Sequence, residues 1–193
     1  CSEKVIYLTF DAGYENGNVE KILDILKKHN AKGCFFILEN LVKRNTDLVK
    51  RMFDEGHTVA NHTMKHKNMS TLGKAELEKE LCGLEKLCLD LTGHKMARLY
   101  RPPEGAFSPL AEKTAENIDY EVILWTVDTR DWAHTPVDKI VDNVMKNTLP
   151  GSIILCHDFI GRDSPTPDAI RQFIPKLIDE GYEFVTVSEL LMS

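Results

Sequence analysis

Two hydrophobic periods alternate along this chain from end to end, and that alternation is the strongest constraint on its fold. Short β-branched and aromatic runs at residues 5–11, 33–38, 57–61, 99–101, 121–128, 152–157 and 183–187 predict seven strands. Helical spacing separates them: Val19, Ile22, Leu23 and Leu26; then Leu77, Leu81, Leu84, Cys88 and Leu91; then Ile170, Phe173, Ile174 and Leu177. Gly93 and Gly181 read as helix stops, and Pro175 predicts a late start or a kink in the last helix. Alternating strands and helices demand a mostly parallel sheet, because each helix must return the chain to the same edge. Periodicity alone fits either an incomplete β/α barrel or an open doubly wound sheet. In both, function collects at the carboxyl ends of the strands.

The 193 residues support one buried core and fall short of two, so residues 1–193 are read as one domain. Lys and Arg number 24 against 30 Asp and Glu, a net charge of −6 with no dense basic run, which argues against nucleic acid as a partner. No apolar stretch approaches the roughly 20 residues that span a bilayer, and no basic-then-apolar leader precedes Val5. A soluble monomer is expected. Five cysteines, at 1, 34, 82, 88 and 156, cannot all pair and form no CxxC couple, so buried apolar thiols are expected in place of a disulfide framework or a thiolate zinc site. Cys1 is either a boundary set at the start of this chain or the remnant of a longer precursor.

Titratable residues collect at five strand ends. These are Asp11 in Thr9-Phe10-Asp11-Ala12-Gly13, His62 and His66 after Asn61, Arg101 and Glu104 in Arg101-Pro102-Pro103-Glu104-Gly105, Asp131 beside Trp132, and His157 after Leu155-Cys156. Each taken singly has a bland reading. A strand-end Asp is usually a turn or cap residue, an Arg before two prolines a surface group, and a His after an apolar run a satisfied rim residue. His62 and His66, four apart, face the same way only if their segment is helical or tightly turned, the geometry two imidazoles need to reach one metal. His29, His57, His94 and His134 read as solvated or structural, and Asp24, Glu78 and Glu80 as solvated helix faces.

The five segments, in this order over residues 9 to 157, resemble the motifs of the polysaccharide deacetylases with a NodB homology domain, also called carbohydrate esterase family four. Thr9 to Gly17 and Arg101 to Gly105 look most like the sporulation-type, delta-lactam-forming muramic acid deacetylases. The glucosamine and chitin deacetylases carry a second Asp where this chain has Ala12, and typically an aromatic residue at position 104. The resemblance implies a distorted (β/α)7 barrel, a divalent metal and removal of acetyl from an N-acetylated sugar of a wall polysaccharide, with N-acetylmuramic acid of peptidoglycan the first choice. Acting on such a polymer implies a place outside the cell or in the wall.

In residues, the resemblance makes His62 and His66 metal ligands, for zinc first and for cobalt, nickel or manganese as alternatives. Asp11 becomes the base for water, Arg101 its ionic partner, His157 the acid for the departing amine and Asp131 the group that orients His157. Glu104 and Gly105 would contact substrate, with backbone N–H groups of that loop holding the oxyanion, and Trp132 and Leu155 would wall the acetyl methyl. The chemistry is consistent: an acetamide is a poor electrophile and an amine a poor leaving group, so activated water, oxyanion stabilisation and a proton must all be supplied. Ala12 removes the family's carboxylate ligand, which implies weaker metal binding. The alternatives are the same reaction on N-acetylglucosamine in peptidoglycan or chitin, O-acetyl ester cleavage, and a silent glycan-binding wall protein.

Overall fold

The computed structural model describes residues 4–106, 108–158 and 161–187; Cys1 lies outside them. Strand β1 (Val5–Ala12) is followed by α1 (Val19–Lys28), β2 (Gly33–Ile37), α2 (Glu39–Arg44), α3 (Thr46–Asp54), β3 (Thr58–Asn61) and α4 (Lys74–Thr92). Then come β4 (Leu99–Tyr100), α5 (Pro109–Asn117), β5 (Glu121–Val122), β6 (Val127–Asp128), α6 (Val137–Asn147), β7 (Ile153–His157), α7 (Thr166–Asp179) and β8 (Glu183–Phe184). Every ladder among the described residues is parallel. The order β5-β4-β3-β2-β1-β7-β6, with β8 on the start of β1, curls into a distorted (β/α)7 barrel. It is open between β5 and β6, which share no ladder.

That opening corrects the expected single strand over residues 121–128. The segment breaks into two short strands around Ile123 to Thr126, whose carbonyls at Ile123 and Leu124 accept from Arg101 and so are withdrawn from any ladder. No helix joins β5 to β6, while two join β2 to β3, so strand and helix do not alternate seven times over. Gly93 ends α4 with φ +78°, the left-handed cap a glycine adopts without steric cost. Helix α7 neither starts late nor stops at Pro175, whose missing N–H forfeits only a bond to the exposed Arg171.

Period two on β1 divides the core. Leu8, Phe10 and Ala12 pack into the layer shared with the helices, among Ile22, Leu26, Ile170 and Phe173. Tyr7 points the other way, into a smaller interior cluster with Cys34, Phe36, Ala60 and Leu99. Thr9 and Asp11 share that inward parity, so the strand delivers a carboxylate to the barrel mouth as a by-product of burying its alternate residues. Cys34, Cys88 and Cys156 are buried free thiols as expected; Cys82 is exposed, because it lies on the solvent side of α4.

Candidate active site

Arg101 organises the floor of the barrel mouth. Its side chain has no exposed surface, an environment a cation occupies only when paired and hydrogen-bonded. Its guanidinium donates to Asp11 Oδ1 (2.9 Å), Thr9 Oγ1 (2.9 Å), the Ile123 carbonyl (3.1 Å) and the Leu124 carbonyl (3.0 Å), and lies 4.2 Å from the centroid of Phe36. One side chain therefore ties β1 to the break between β5 and β6.

Asp11 Oδ2 faces two imidazoles, His62 Nε2 at 3.5 Å and His157 Nε2 at 3.9 Å. Burial alone would raise the Asp11 carboxyl, but the charges of His62, Arg101 and His157 and the Arg101 hydrogen bond outweigh it and hold it below the ordinary range. Burial also lowers His62, whereas Arg101 is a permanent cation beside Asp11.

His62 and His66 are brought together by a tight turn, not by a helix. Thr63 and His66 both take positive φ, 77° and 53°. The turn is clamped by Asn61 Oδ1 accepting from the Thr63 N–H (2.8 Å) and Thr63 Oγ1 accepting from the His66 N–H (3.0 Å). The rings meet edge to face with centroids 5.0 Å apart. Glu80, expected on a solvated helix face, is buried and accepts from the Lys65 N–H (2.9 Å), so α4 braces this turn.

A divalent cation fits two of these donors. His62 Nδ1 lies 2.8 Å from the Arg101 carbonyl and must donate to it, which leaves the Nε2 lone pair free for a cation, as in metal-bound histidines whose other ring nitrogen is held by a carbonyl. His66 lines the same space. Position 12 supplies only a buried methyl, and among the described residues no group of three His, Cys, Asp or Glu is arranged to hold a metal. The set is two imidazoles, with solvent or a substrate oxygen left to complete it.

His157 ends β7, and Asp131 holds it from below. Asp131 Oδ1 accepts a hydrogen bond from His157 Nδ1–H (2.8 Å), so Nε2 is the atom that faces Asp11. Burial would lower His157, but the hydrogen bond and charge of Asp131, with Asp11 and Asp128 adding, raise it above an ordinary histidine. The neighbouring Asp158 is buried and pushed well up by that burial; its Oδ1 accepts from the Gly13 N–H (3.2 Å), joining the ends of β1 and β7.

A cavity of about 610 Å³ opens above these groups, lined by Asp11, His66, Glu104, Trp125, Asp128, Trp132, Leu155 and His157. The sequence singled out six of these. Trp125 was concealed in what read as one continuous strand, and Asp128 stood at the end of that strand with no role assigned to it. Gly105, expected on the binding surface, is not a wall: with φ +67°, any Cβ there would sit 2.9 Å from Trp125, so it makes room for an aromatic that is. The N–H groups of Gly105 and Ala106 are spent on the carbonyls of Pro102 and Pro103, which leaves the Glu104 N–H as that loop's free donor among the described residues. A second, smaller cavity of about 150 Å³ lies against Asp11, Gly13, Tyr14, Leu38, His62 and His66.

A family model described as polysaccharide deacetylase matches residues 1–123. The peptidoglycan-N-acetylglucosamine deacetylase of Bacillus cereus is 38% identical over 192 residues, 98% of this chain and 89% of that protein. The peptidoglycan-N-acetylmuramic acid deacetylase PdaA of Bacillus subtilis is 36% identical over 192 residues, 98% of this chain and 72% of its own length. Among solved structures, a CE4 family pseudoenzyme from Bacillus anthracis superposes with a TM-score of 0.89 at 34% identity, covering 98% of this chain and 66% of that one.

Proposed function

This chain belongs to the polysaccharide deacetylase family, and from that membership we propose that it removes the acetyl group from N-acetylmuramic acid residues of bacterial peptidoglycan, outside the cytoplasmic membrane. The observation that carries the reading is the pairing of Asp11 and His157. Two titratable groups pushed in opposite directions, each by its own buried partner, face one another at 3.9 Å in a single cavity. A site that only bound glycan would have no use for a carboxyl pushed down and a facing imidazole pushed up, each by its own buried partner.

Asp11, kept ionised by Arg101, takes a proton from the attacking water. His157, its Nε2 proton aimed into the cavity because Nδ1 is committed to Asp131, gives that proton to the amine as the carbon–nitrogen bond breaks. Trp132 and Leu155 exclude water around the acetyl methyl, and the Glu104 N–H offers a donor to the developing oxyanion. His62 and His66 would hold a divalent cation, which when bound would supply an acidified water and a polarised carbonyl. Zinc suits two imidazoles and open positions. No helix among the described residues is long and apolar enough to cross a membrane.

A second reading is favoured by position 12 together with the pseudoenzyme likeness: a chain without the carboxylate ligand that binds wall glycan and does not cut it. Incubating defined peptidoglycan fragments and weighing them discriminates. Loss of about 42 Da from the muramic ring, abolished by a chelator, is the expected result. The same loss from the glucosamine ring would transfer the activity to N-acetylglucosamine, and binding with no mass change would establish the silent reading.

A further inference from the structure

We propose that Thr166 is a positioning residue for the proton donor: its buried hydroxyl fixes the plane of the Asp131 carboxylate and, through it, the direction of His157. The inference rests on the deacetylase reading. Asp131 has no exposed surface, and its two oxygens receive four hydrogen bonds. Oδ1 accepts from the Trp132 N–H (2.9 Å) and the His157 ring (2.8 Å); Oδ2 accepts from the His157 backbone N–H (2.7 Å) and from Thr166 Oγ1 (2.6 Å). Three donors come from residues next to the cavity. The fourth comes from α7, none of whose residues lines that cavity.

The hydroxyl has no competing use for its proton. It receives a hydrogen bond from Ser164 Oγ (3.1 Å), and Ser164 Oγ in turn accepts from the Thr166 N–H (3.3 Å). A hydroxyl has one proton to give, and Thr166 gives it to Asp131 at a distance typical of a charge-assisted bond. Nor does it cap its own helix: Pro165 occupies the cap position, and the Thr166 N–H is taken by Ser164 Oγ. A β-branched residue has few rotamers, and α7 is anchored in the core by Ile170, Phe173, Ile174 and Leu177. The donor's position is thus set by helix docking, not by the cavity rim.

Without that donor, Oδ2 keeps only the His157 backbone N–H. The carboxyl torsion is broad and loses the second restraint that stops it rotating, so Oδ1 can drift from Nδ1 and the imidazole from its line to the amine. Thr166→Val removes the hydroxyl at nearly constant shape, and Thr166→Ser keeps it. In the full chain, kcat for acetate release should fall about 10- to 100-fold in Thr166→Val with KM within about twofold, and Thr166→Ser should recover most of it. The low-field proton resonance of His157 Nδ1–H should be sharp in the parent and Thr166→Ser, and shifted or broadened in Thr166→Val.

Equal losses in the two variants, or an unchanged kcat and resonance in Thr166→Val, would overturn the proposal. If the parent releases no acetate, the deacetylase reading fails by itself, and the resonance still decides whether Thr166 holds the pair. Should Thr166→Val not fold, Thr166→Ala is read by the same resonance with the same expectation.

Discussion

Arg101 donates to Oδ1 of Asp11 from a position with no exposed surface, and so turns Oδ2 alone toward His62 and His157. The same guanidinium holds Thr9 and the carbonyls of Ile123 and Leu124. Orientation of the Asp11 carboxylate and the tie between β1 and the Ile123–Leu124 break are therefore one interaction. Removing one member of a buried pair leaves the other uncompensated, at roughly 3–5 kcal/mol. Arg101→Met should lower the unfolding temperature by at least about 6 °C and abolish acetate release, as measured by calorimetry and end-point assay. A variant as stable as the parent would mean that Arg101 is not the keystone described.

Asp11→Asn keeps an acceptor for Arg101 but cannot take a proton, and His157→Ala deletes the donor. Each should lower kcat at least about a hundredfold with the circular dichroism spectrum of a folded chain, in keeping with general acid–base contributions; Asp11→Asn, which leaves the Arg101 charge unpaired, should also lower the unfolding midpoint. Near-normal acetate release from either would remove that residue from the reaction.

On the proposed mechanism, Asp131 governs the pH dependence through His157. Burial acts to lower His157, and the Asp131 hydrogen bond and charge lead the groups that overcome it, raising the imidazole above its usual 6.5. A donor must be protonated, so activity should have an alkaline limb above pH 6.5, where His157 loses its proton. Stability linked to this group runs in the same sense, complete below 6.5 and lost as pH rises through the raised value. In Asp131→Asn the charge is gone, the limb should move to lower pH, and kcat should fall. An alkaline limb unmoved by the substitution would assign it to another group.

Most of this site could be read from strand ends alone, since a parallel sheet puts its carboxyl-terminal residues on one rim and Asp11, His62, Arg101, Asp131 and His157 all lie there. Periodicity could not reveal the break at Ile123 to Thr126, because its apolar residues continue the pattern of a strand while their carbonyls serve Arg101. Thr166 carried no signal either. It lies nine residues past His157, and its role depends on where α7 docks. Glu80 was misjudged for a related reason: helical spacing places it beside Leu77 and Leu84, but only the folded turn brings the Lys65 N–H to its carboxylate.

Position 12 can be tested through its neighbours. Ala12 is level with Ile37 on β2, and the Ile37 carbonyl accepts from the His62 N–H (3.1 Å), so the backbones of position 12 and His62 stand one strand apart, which makes a carboxylate at 12 the direct test of the ligand the family resemblance implies. Its methyl is fully buried in the core on the helix side. A carboxylate there is costly unless a cation meets it. Ala12→Asp should therefore melt below the parent in chelator, regain stability with added zinc, and bind zinc more tightly by calorimetric titration. Equal affinities and a midpoint indifferent to zinc would mean that position 12 does not reach the metal.

His57 supplies an acid-sensitive element remote from the chemistry. Its ring is buried against Phe35, and Nδ1 accepts from the Gly33 N–H (3.2 Å), a bond that protonation at Nδ1 would break. Burial, aided by Lys32 and Arg51 and opposed by Glu55, lowers His57 to about 4 from 6.5. The unfolded chain therefore binds this proton first as pH falls. Stability should decline from pH 6.5 down to about 4 and then level off for this group, by a total of roughly 3 kcal/mol. Asp11, held below the ordinary carboxylate range, adds loss only at the acid end of that window and beyond. Urea unfolding of the parent and of His57→Gln at pH 7 and pH 4.5 separates the two. The glutamine variant should lose markedly less stability between those values, and an identical loss would show that the acid sensitivity arises elsewhere.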